Sequence, residues 1–141
     1  APLQQPDAKR WFCISAEKLA ISAVMAGCLP MHFPVVLTAW TAMLKEEFLL
    51  HGATASTGGC AILLVLNGPI RNEINCESEF NVLGSSDRAS SVIGRAIRLG
   101  LMNILDIKPG AIDRSTLGNP GKISCRRIAQ HNFSLPYSQQ T

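Results

Sequence analysis

Aromatic and charged residues are both scarce in this chain. Phe, Trp and Tyr make up 6% of its 141 residues, and Asp, Glu, Lys and Arg together make up 16%. Modules that bind nucleic acids usually concentrate Lys and Arg on one face, together with exposed aromatic side chains. Because the net charge is also only +3, we expect no nucleic-acid partner.

Long apolar runs are absent as well. No run reaches the roughly 18 residues that a membrane-spanning helix requires, and the first residues do not show the charged-then-apolar pattern of a signal peptide. We therefore expect no membrane partner and a cytoplasmic location. The hydrophobic content of 47% is still high, and a short chain has much surface for its volume. We expect a homo-oligomer or a partner subunit to cover part of that apolar surface.

The five cysteines form no close pair. Cys-x-x-C motifs and Cys/His spacings that suit zinc do not occur, so we predict no metal site. Buried, unreactive thiols in a reducing compartment are the ordinary interpretation of such cysteines. Cys60 and Cys76 flank the most apolar stretch of the chain, and these two are candidate reactive thiols.

Hydrophobic periodicity predicts three main helices. Ser15 can cap the first helix and Gly27 can end it, while Pro34 suits the first turn of the second. The third helix can be capped by Asp87 or by either serine before it. The predicted ranges are residues 15–27, about 31–48 and 87–105.

A small sheet is predicted beside these helices. The stretch AILLVL, residues 61–66, is too short and too uniformly apolar for a surface helix, which favours a buried central strand. Another strand is expected at about residues 122–128, and residues 51–60 are predicted to form a Gly/Ser/Thr-rich loop. The expected fold class is therefore α/β or α+β. Its predicted parts are an N-terminal arm over 1–14, a single domain over 15–128 and a C-terminal tail over 129–141.

Polar residues on both sides of the apolar strand are the first candidates for a site. His51 precedes the strand, and histidine is a residue type that suits proton transfer, although a lone loop histidine is more often a structural group. Asn67, Arg71 and Glu73 follow the strand. Arg71 could bind a substrate carboxylate while Glu73 orients it or moves a proton. Alternatively, Arg71 could pair with Glu73 or with a helix terminus.

The start of the third predicted helix is a further candidate. Ser85 and Ser86 precede helix N–H groups that favour an anion, and Arg88, Arg95 and Arg98 are spaced as one basic stripe along the helix. A solvated charged face is the ordinary interpretation of such a stripe. The surrounding sequence matches neither a P-loop nor a dinucleotide-binding motif, and we predict that the protein uses no cofactor.

The segment TLGNPGK, residues 116–122, is a weaker candidate. Two glycines and a proline surround Asn119, and turn formation alone accounts for this composition. If the turn folds over the end of the strand, Asn119 and Lys122 join the anion site.

Five segments together resemble one protein family. In chain order they are AEKLAISAVMAGCLP, HGATAST, LVLNGPIRNEI, DRASSVIGRAIRLGLMN and TLGNPGK. This set resembles a poorly characterised, mostly bacterial family that is associated with or fused to a thioredoxin-like selenocysteine/Cys-Gly-Ser-Cys (UGSC) domain. The chain departs from the family pattern at Ser22, Gly58, Asp87 and Asn119. The resemblance implies that any thiol chemistry would need a redox partner in trans.

These observations predict a cofactor-independent enzyme of the lyase, hydratase or isomerase type, which acts on a small anionic organic substrate by proton transfer. Arg71, Arg88 and Lys122 would bind the anion, and His51 or Glu73 would transfer the proton. Two alternatives stay open. One is a non-catalytic subunit or scaffold that binds an acidic or apolar partner surface. The other is a thiol redox protein that works with a partner.

Overall fold

The computed structural model describes residues 14–76, 87–119 and 127–129, the last three by their backbone alone. Helices dominate this part of the chain and strands are few. In chain order the elements are α1 (Ala16–Ala26), a 3-10 turn (Pro30–His32), α2 (Phe33–Met43), a second 3-10 turn (Glu46–Phe48), α3 (Leu50–Thr54), β1 (Leu64–Leu66), α4 (Ile70–Glu73), α5 (Arg88–Ile104) and β2 (Arg127–Ala129). The predicted arm before Ile14 and the predicted tail after Ala129 lie outside the described residues.

The first predicted helix, α1, is confirmed with the caps that the sequence indicates. Ser15 is extended, and its hydroxyl accepts a hydrogen bond from the Lys18 amide at 3.3 Å. Gly27 ends the helix in the left-handed conformation, with φ 89°. A side chain is strained at that φ, which is why glycine occupies this position.

The third predicted helix, α5, is also confirmed. The Asp87 carboxylate caps it by accepting hydrogen bonds from the Ser90 amide at 2.6 Å and the Ser90 hydroxyl at 2.7 Å. Both α1 and α2 pack against α5. The buried side chains of these three helices form most of the core, including the fully buried Ile93, Ile97 and Trp40.

The second predicted helix is shorter than expected, and part of the predicted loop after it is helical. α2 ends at Met43 because Lys45 is extended, and residues up to Phe48 form a separate 3-10 turn. The loop predicted over 51–60 is wrong for its first four residues, which belong to α3. Leu50 is buried at the start of α3 and anchors the helix to the core. This tertiary contact is not visible in the Gly- and Ala-rich sequence.

The expected buried central strand over 61–66 is wrong in extent and in burial. β1 covers only Leu64–Leu66 and pairs in parallel with β2, with Leu64 opposite Arg127 and Leu66 opposite Ala129. Side chains along this stretch alternate, since Ile62 is buried whereas Leu63 and Val65 are more than half exposed. Such alternation is typical of a strand with one covered face. The domain is thus mainly helical, and within the described residues β1 is not the centre of a larger sheet.

A cleft lined by arginine and apolar side chains

A cleft lies between the C-terminal half of α5 and the segment 109–119. Its volume is about 890 Å³, which is within the usual range of about 300–1,000 Å³ for small-molecule sites. The side chains and backbone that line it belong to Arg95, Arg98, Leu99, Met102, Pro109, Gly110, Asp113, Arg114, Ser115, Leu117, Gly118 and Asn119. We call this cavity the arginine cleft.

A buried ion pair joins the two walls of the arginine cleft. Arg98 Nη2 lies 3.2 Å from Asp113 Oδ2, and the side chains are only 13% and 5% exposed. The Asp113 carboxylate also accepts a hydrogen bond from the Ser115 amide at 3.4 Å. A buried carboxylate is tolerated when an opposite charge and hydrogen bonds compensate its lost hydration. The pair therefore fixes the segment 109–119 against α5. The Asp113 carboxylate neutralises the charge of Arg98.

A second set of bonds ties the same segment to the loop that follows α3. The Arg114 amide donates to the Ser56 carbonyl at 3.0 Å. The Ser115 hydroxyl lies within hydrogen-bond distance of both the Gly58 carbonyl and the Asp113 carboxylate. Because a hydroxyl has one proton, it donates a hydrogen bond to one of these two acceptors at a time. With both walls held, the arginine cleft is largely pre-formed, as ligand sites usually are.

Two of the three arginines of the cleft keep their charge available. Arg95 is exposed on α5, and exposed Arg114 uses its Nε to donate to the Ala111 carbonyl at 3.0 Å. Within residues 14–76 and 87–119 neither side chain has a carboxylate within ion-pair distance. A guanidinium presents several N–H donors in a planar fork that matches a carboxylate or phosphate.

Apolar side chains also line the cleft. Leu99 and Met102 contribute from α5, Pro109 contributes from the opposite wall, and Leu117 is almost fully exposed at 99%. An exposed leucine beside two available guanidinium groups offers apolar contact and charge in one cavity. The arrangement suits a ligand with an anionic group and an apolar body.

Among the described residues, only part of the predicted site lies in this cleft. Arg95 and Asn119 both line it. His51 on α3, Asn67 before α4 and Glu73 on α4 are exposed and do not line it. Ser85, Ser86 and Lys122 lie outside the described residues.

The three arginines of the predicted basic stripe on α5 make different contacts. Arg88 Nη2 donates to the Gly27 carbonyl at 2.9 Å, which ties α5 to the C-terminal end of α1. Arg98 is held by Asp113, and only Arg95 both faces the cleft and keeps its charge available. The predicted anion contact of Arg88 stays a prediction, whereas its contact with α1 is structural.

The pairing of Arg71 with Glu73, one of the alternatives that the sequence left open, is not formed. Arg71 is buried on α4, and its Nε donates to the Gly68 carbonyl at 3.4 Å. Glu73 is exposed on the same short helix. The Asn67 side chain accepts a hydrogen bond from the Gly68 amide at 2.9 Å, so it stabilises the turn before α4.

The two candidate thiols differ in accessibility. Cys60 is exposed, whereas Cys76 is buried with its Sγ 3.7 Å from the Ser90 hydroxyl. Cys28 is half-buried, and burial raises the pKa of its thiol while the nearby Arg88 charge partly opposes this rise. Cys28 and Cys60 are free thiols.

Three residues that line the cleft were missed by sequence reasoning, namely Asp113, Arg114 and Ser115. They form a polar run between two Pro/Gly turns, which is the only local signal that they carry. Their importance comes from contacts with Arg98, Ser56 and Gly58, which lie too far away in sequence for spacing to reveal them.

Searches of the chain against protein-family models, curated proteins and solved structures find no match. Among the described residues no cluster of His, Cys, Asp and Glu has the size needed to hold a metal ion. The described helices include none that is both long and apolar enough to cross a membrane.

Proposed function

We propose that this protein binds a small organic anion in the arginine cleft. The observation that carries the proposal is the presence of Arg95 and Arg114, both without an ion pair among the described residues, in one cavity with Leu99 and Leu117. The Arg98–Asp113 pair holds the walls in place before a ligand arrives. Such pre-organisation reduces the entropy lost on binding.

If the protein is an enzyme, the anion bound in the cleft is the substrate of a cofactor-independent lyase, hydratase or isomerase. The predicted proton-transfer groups, His51 and Glu73, do not line the arginine cleft. Its lining therefore supports binding more directly than it supports proton transfer. The family resemblance and the thiol redox alternative remain proposals, and exposed Cys60 is the described thiol that a redox partner in trans would reach most easily.

A ligand screen by thermal unfolding tests the binding proposal. Monocarboxylates and dicarboxylates are compared at constant ionic strength on the wild type, Arg95→Ala and Arg114→Ala. A ligand at 100 times its Kd should stabilise the folded state by about 2.7 kcal/mol, and each variant should lose most of this gain.

Lys18→Ala is the matched control for the screen, because it removes one positive charge from the exposed surface of α1. It should respond to each ligand like the wild type. Equal shifts in all four proteins would show a non-specific anion effect, and the absence of any shift would contradict the proposal.

A second candidate function, that of a self-associating subunit, is favoured by the outer face of α1. Five large apolar side chains are exposed there and on the turn that follows: Ile21, Val24, Met25, Leu29 and Met31. Their exposed surface amounts to roughly 500 Å², as large as the biggest apolar patches of typical monomers, at about 300–600 Å². It also approaches the approximately 800 Å² that each partner buries in a standard interface.

We propose a second copy of this chain as the occupant of the α1 face. The patch is built from five apolar side chains, and most soluble oligomers are symmetric assemblies of one chain. Val24→Glu should convert a dimer to a monomer in sedimentation equilibrium, whereas Glu17→Gln at the end of the same helix should leave the dimer intact. A wild-type protein that is monomeric at high concentration would contradict this assignment.

A further inference from the structure

Arg71 is a charged side chain that is buried without an ion pair among the described residues. The residue is only 8% exposed, and its one hydrogen bond from the side chain within the described residues is the long contact from Nε to the Gly68 carbonyl. No carboxylate among residues 14–76 and 87–119 lies within ion-pair distance of it. This distinguishes it from Arg98, which is similarly buried but paired with Asp113.

The tip of the Arg71 side chain still reaches solvent. Within the described residues, Trp40 Nε1 is the one side-chain nitrogen or oxygen that is both fully sealed and without a hydrogen-bond partner. The Nη atoms of Arg71 therefore account for part of its small accessible area. The stem is buried and the charged end opens to the surface.

The backbone around this side chain is held rigidly. The Gly68 carbonyl accepts hydrogen bonds from both the Arg71 amide, at 3.2 Å, and Arg71 Nε. Gly68 has a φ of 102° that favours glycine, and Pro69 follows it as the cap of α4. The guanidinium is thus oriented before any ligand binds, as an anion-binding arginine requires.

A buried guanidinium without a counter-charge is unfavourable. Arginine stays protonated at any ordinary pH, and an uncompensated ion loses hydration energy that no partner returns. Water can satisfy the free N–H groups, but it cannot neutralise the charge. An oxyanion does both, because its oxygens accept two parallel bonds from the guanidinium fork.

We infer that Arg71 binds one phosphate-like oxyanion, and that this anion acts as a counter-charge that stabilises the fold. Arg71 is not among the residues lining the arginine cleft, so this inference does not depend on the proposed ligand of that cleft. The oxyanion can be inorganic phosphate or the phosphate group of a small monoester, since the guanidinium recognises the same oxygens in both.

The test measures the unfolding midpoint as a function of inorganic phosphate, with chloride replaced at constant ionic strength, and repeats it with glycerol phosphate. The wild-type midpoint should rise with increasing phosphate. Arg71→Met, which keeps the apolar stem and removes the charge, should lose this rise. Arg95→Ala should retain it, because Arg95 belongs to the arginine cleft.

A monoester that acts as strongly as phosphate identifies an open site, and one that acts only weakly identifies a site shaped for the free ion; either result supports the inference. A wild type that does not respond to either compound overturns it, as does Arg71→Met responding like the wild type. If Arg71→Met does not fold, Arg71→Lys replaces it. Lys has no planar fork, so the apparent phosphate affinity should fall at least tenfold, and an unchanged affinity overturns the inference.

Discussion

Gly100 on α5 is the position where a single methyl group should disturb the core most clearly. A Cβ atom built at Gly100 would lie 2.6 Å from Cζ2 and 3.2 Å from Cε2 of Trp40. Carbon atoms pack best at about 3.5–4.0 Å, so the nearest contact would be roughly 1 Å too short. Trp40 is fully buried on α2, and it can retreat only by displacing the rest of the core.

Two opposing effects determine the magnitude of Gly100→Ala. Overpacking a well-filled core typically costs about 1–3 kcal/mol, while replacing glycine by alanine inside a helix gains up to about 1 kcal/mol. We therefore expect a net loss of about 1–2 kcal/mol in the free energy of unfolding. For a chain of this size that corresponds to a fall of roughly 3–8 °C in Tm, measurable by urea and thermal denaturation.

Gly52→Ala is the matched control for this prediction. Gly52 is helical in α3, and an added Cβ meets nothing within 4 Å. The same substitution should therefore be neutral or stabilising by up to about 1 kcal/mol.

The double variant Trp40→Phe with Gly100→Ala tests whether the contact with Trp40 causes the loss of stability. Phe lacks the outer ring that the new methyl group would strike, so the double variant should be less destabilised than the sum of the single variants, by about 0.5–3 kcal/mol. Strictly additive effects, or a Gly100→Ala protein more stable than the wild type, would refute the packing argument.

Three further predictions concern the helix cap, the buried ion pair and the thiols. Asp87→Ala should lower the free energy of unfolding by about 0.5–2 kcal/mol, because the first turn of α5 loses its cap, and Asp87→Ser should restore most of it in the same denaturation assay. Arg98→Met should cost about 3–5 kcal/mol because it removes the guanidinium that pairs with the buried Asp113 carboxylate, and a loss below 1 kcal/mol in urea titration would contradict the role assigned to this pair. Cys60 should react with iodoacetamide faster than Cys28 in peptide mapping by mass spectrometry, because burial raises the pKa of Cys28 above its ordinary value of 9.0. Since folding favours the protonated Cys28 thiol, its contribution to stability is complete below pH 9 and is lost as the pH rises through the folded-state pKa.

Local signals in the sequence were sufficient to predict α1 and α5. Ser15, Gly27 and Asp87 act on neighbouring backbone groups, so their effect is encoded within a few residues. Local signals did not predict the structure of the stretch 61–66 correctly. Its uniform apolar composition predicted burial on both faces, but the alternate exposure of Leu63 and Val65 depends on what covers each face.

For the candidate site, the sequence predicted the types of side chain but not their arrangement. Arginine-rich helix spacing and an Asn-containing turn directed attention to Arg95 and Asn119, which both line the arginine cleft. Which arginine remains available was decided by contacts with distant segments, because Asp113 neutralises Arg98 and the Gly27 carbonyl holds Arg88.

By itself, then, the sequence determined where α1 and α5 begin and end, because caps act locally. The tertiary structure alone decided that the arginine cleft forms between α5 and the segment 109–119, and that Arg71 is buried without an ion pair among the described residues. The physical reason is that desolvation and pairing of a charge depend on every segment packed around it, however far away those segments lie along the chain.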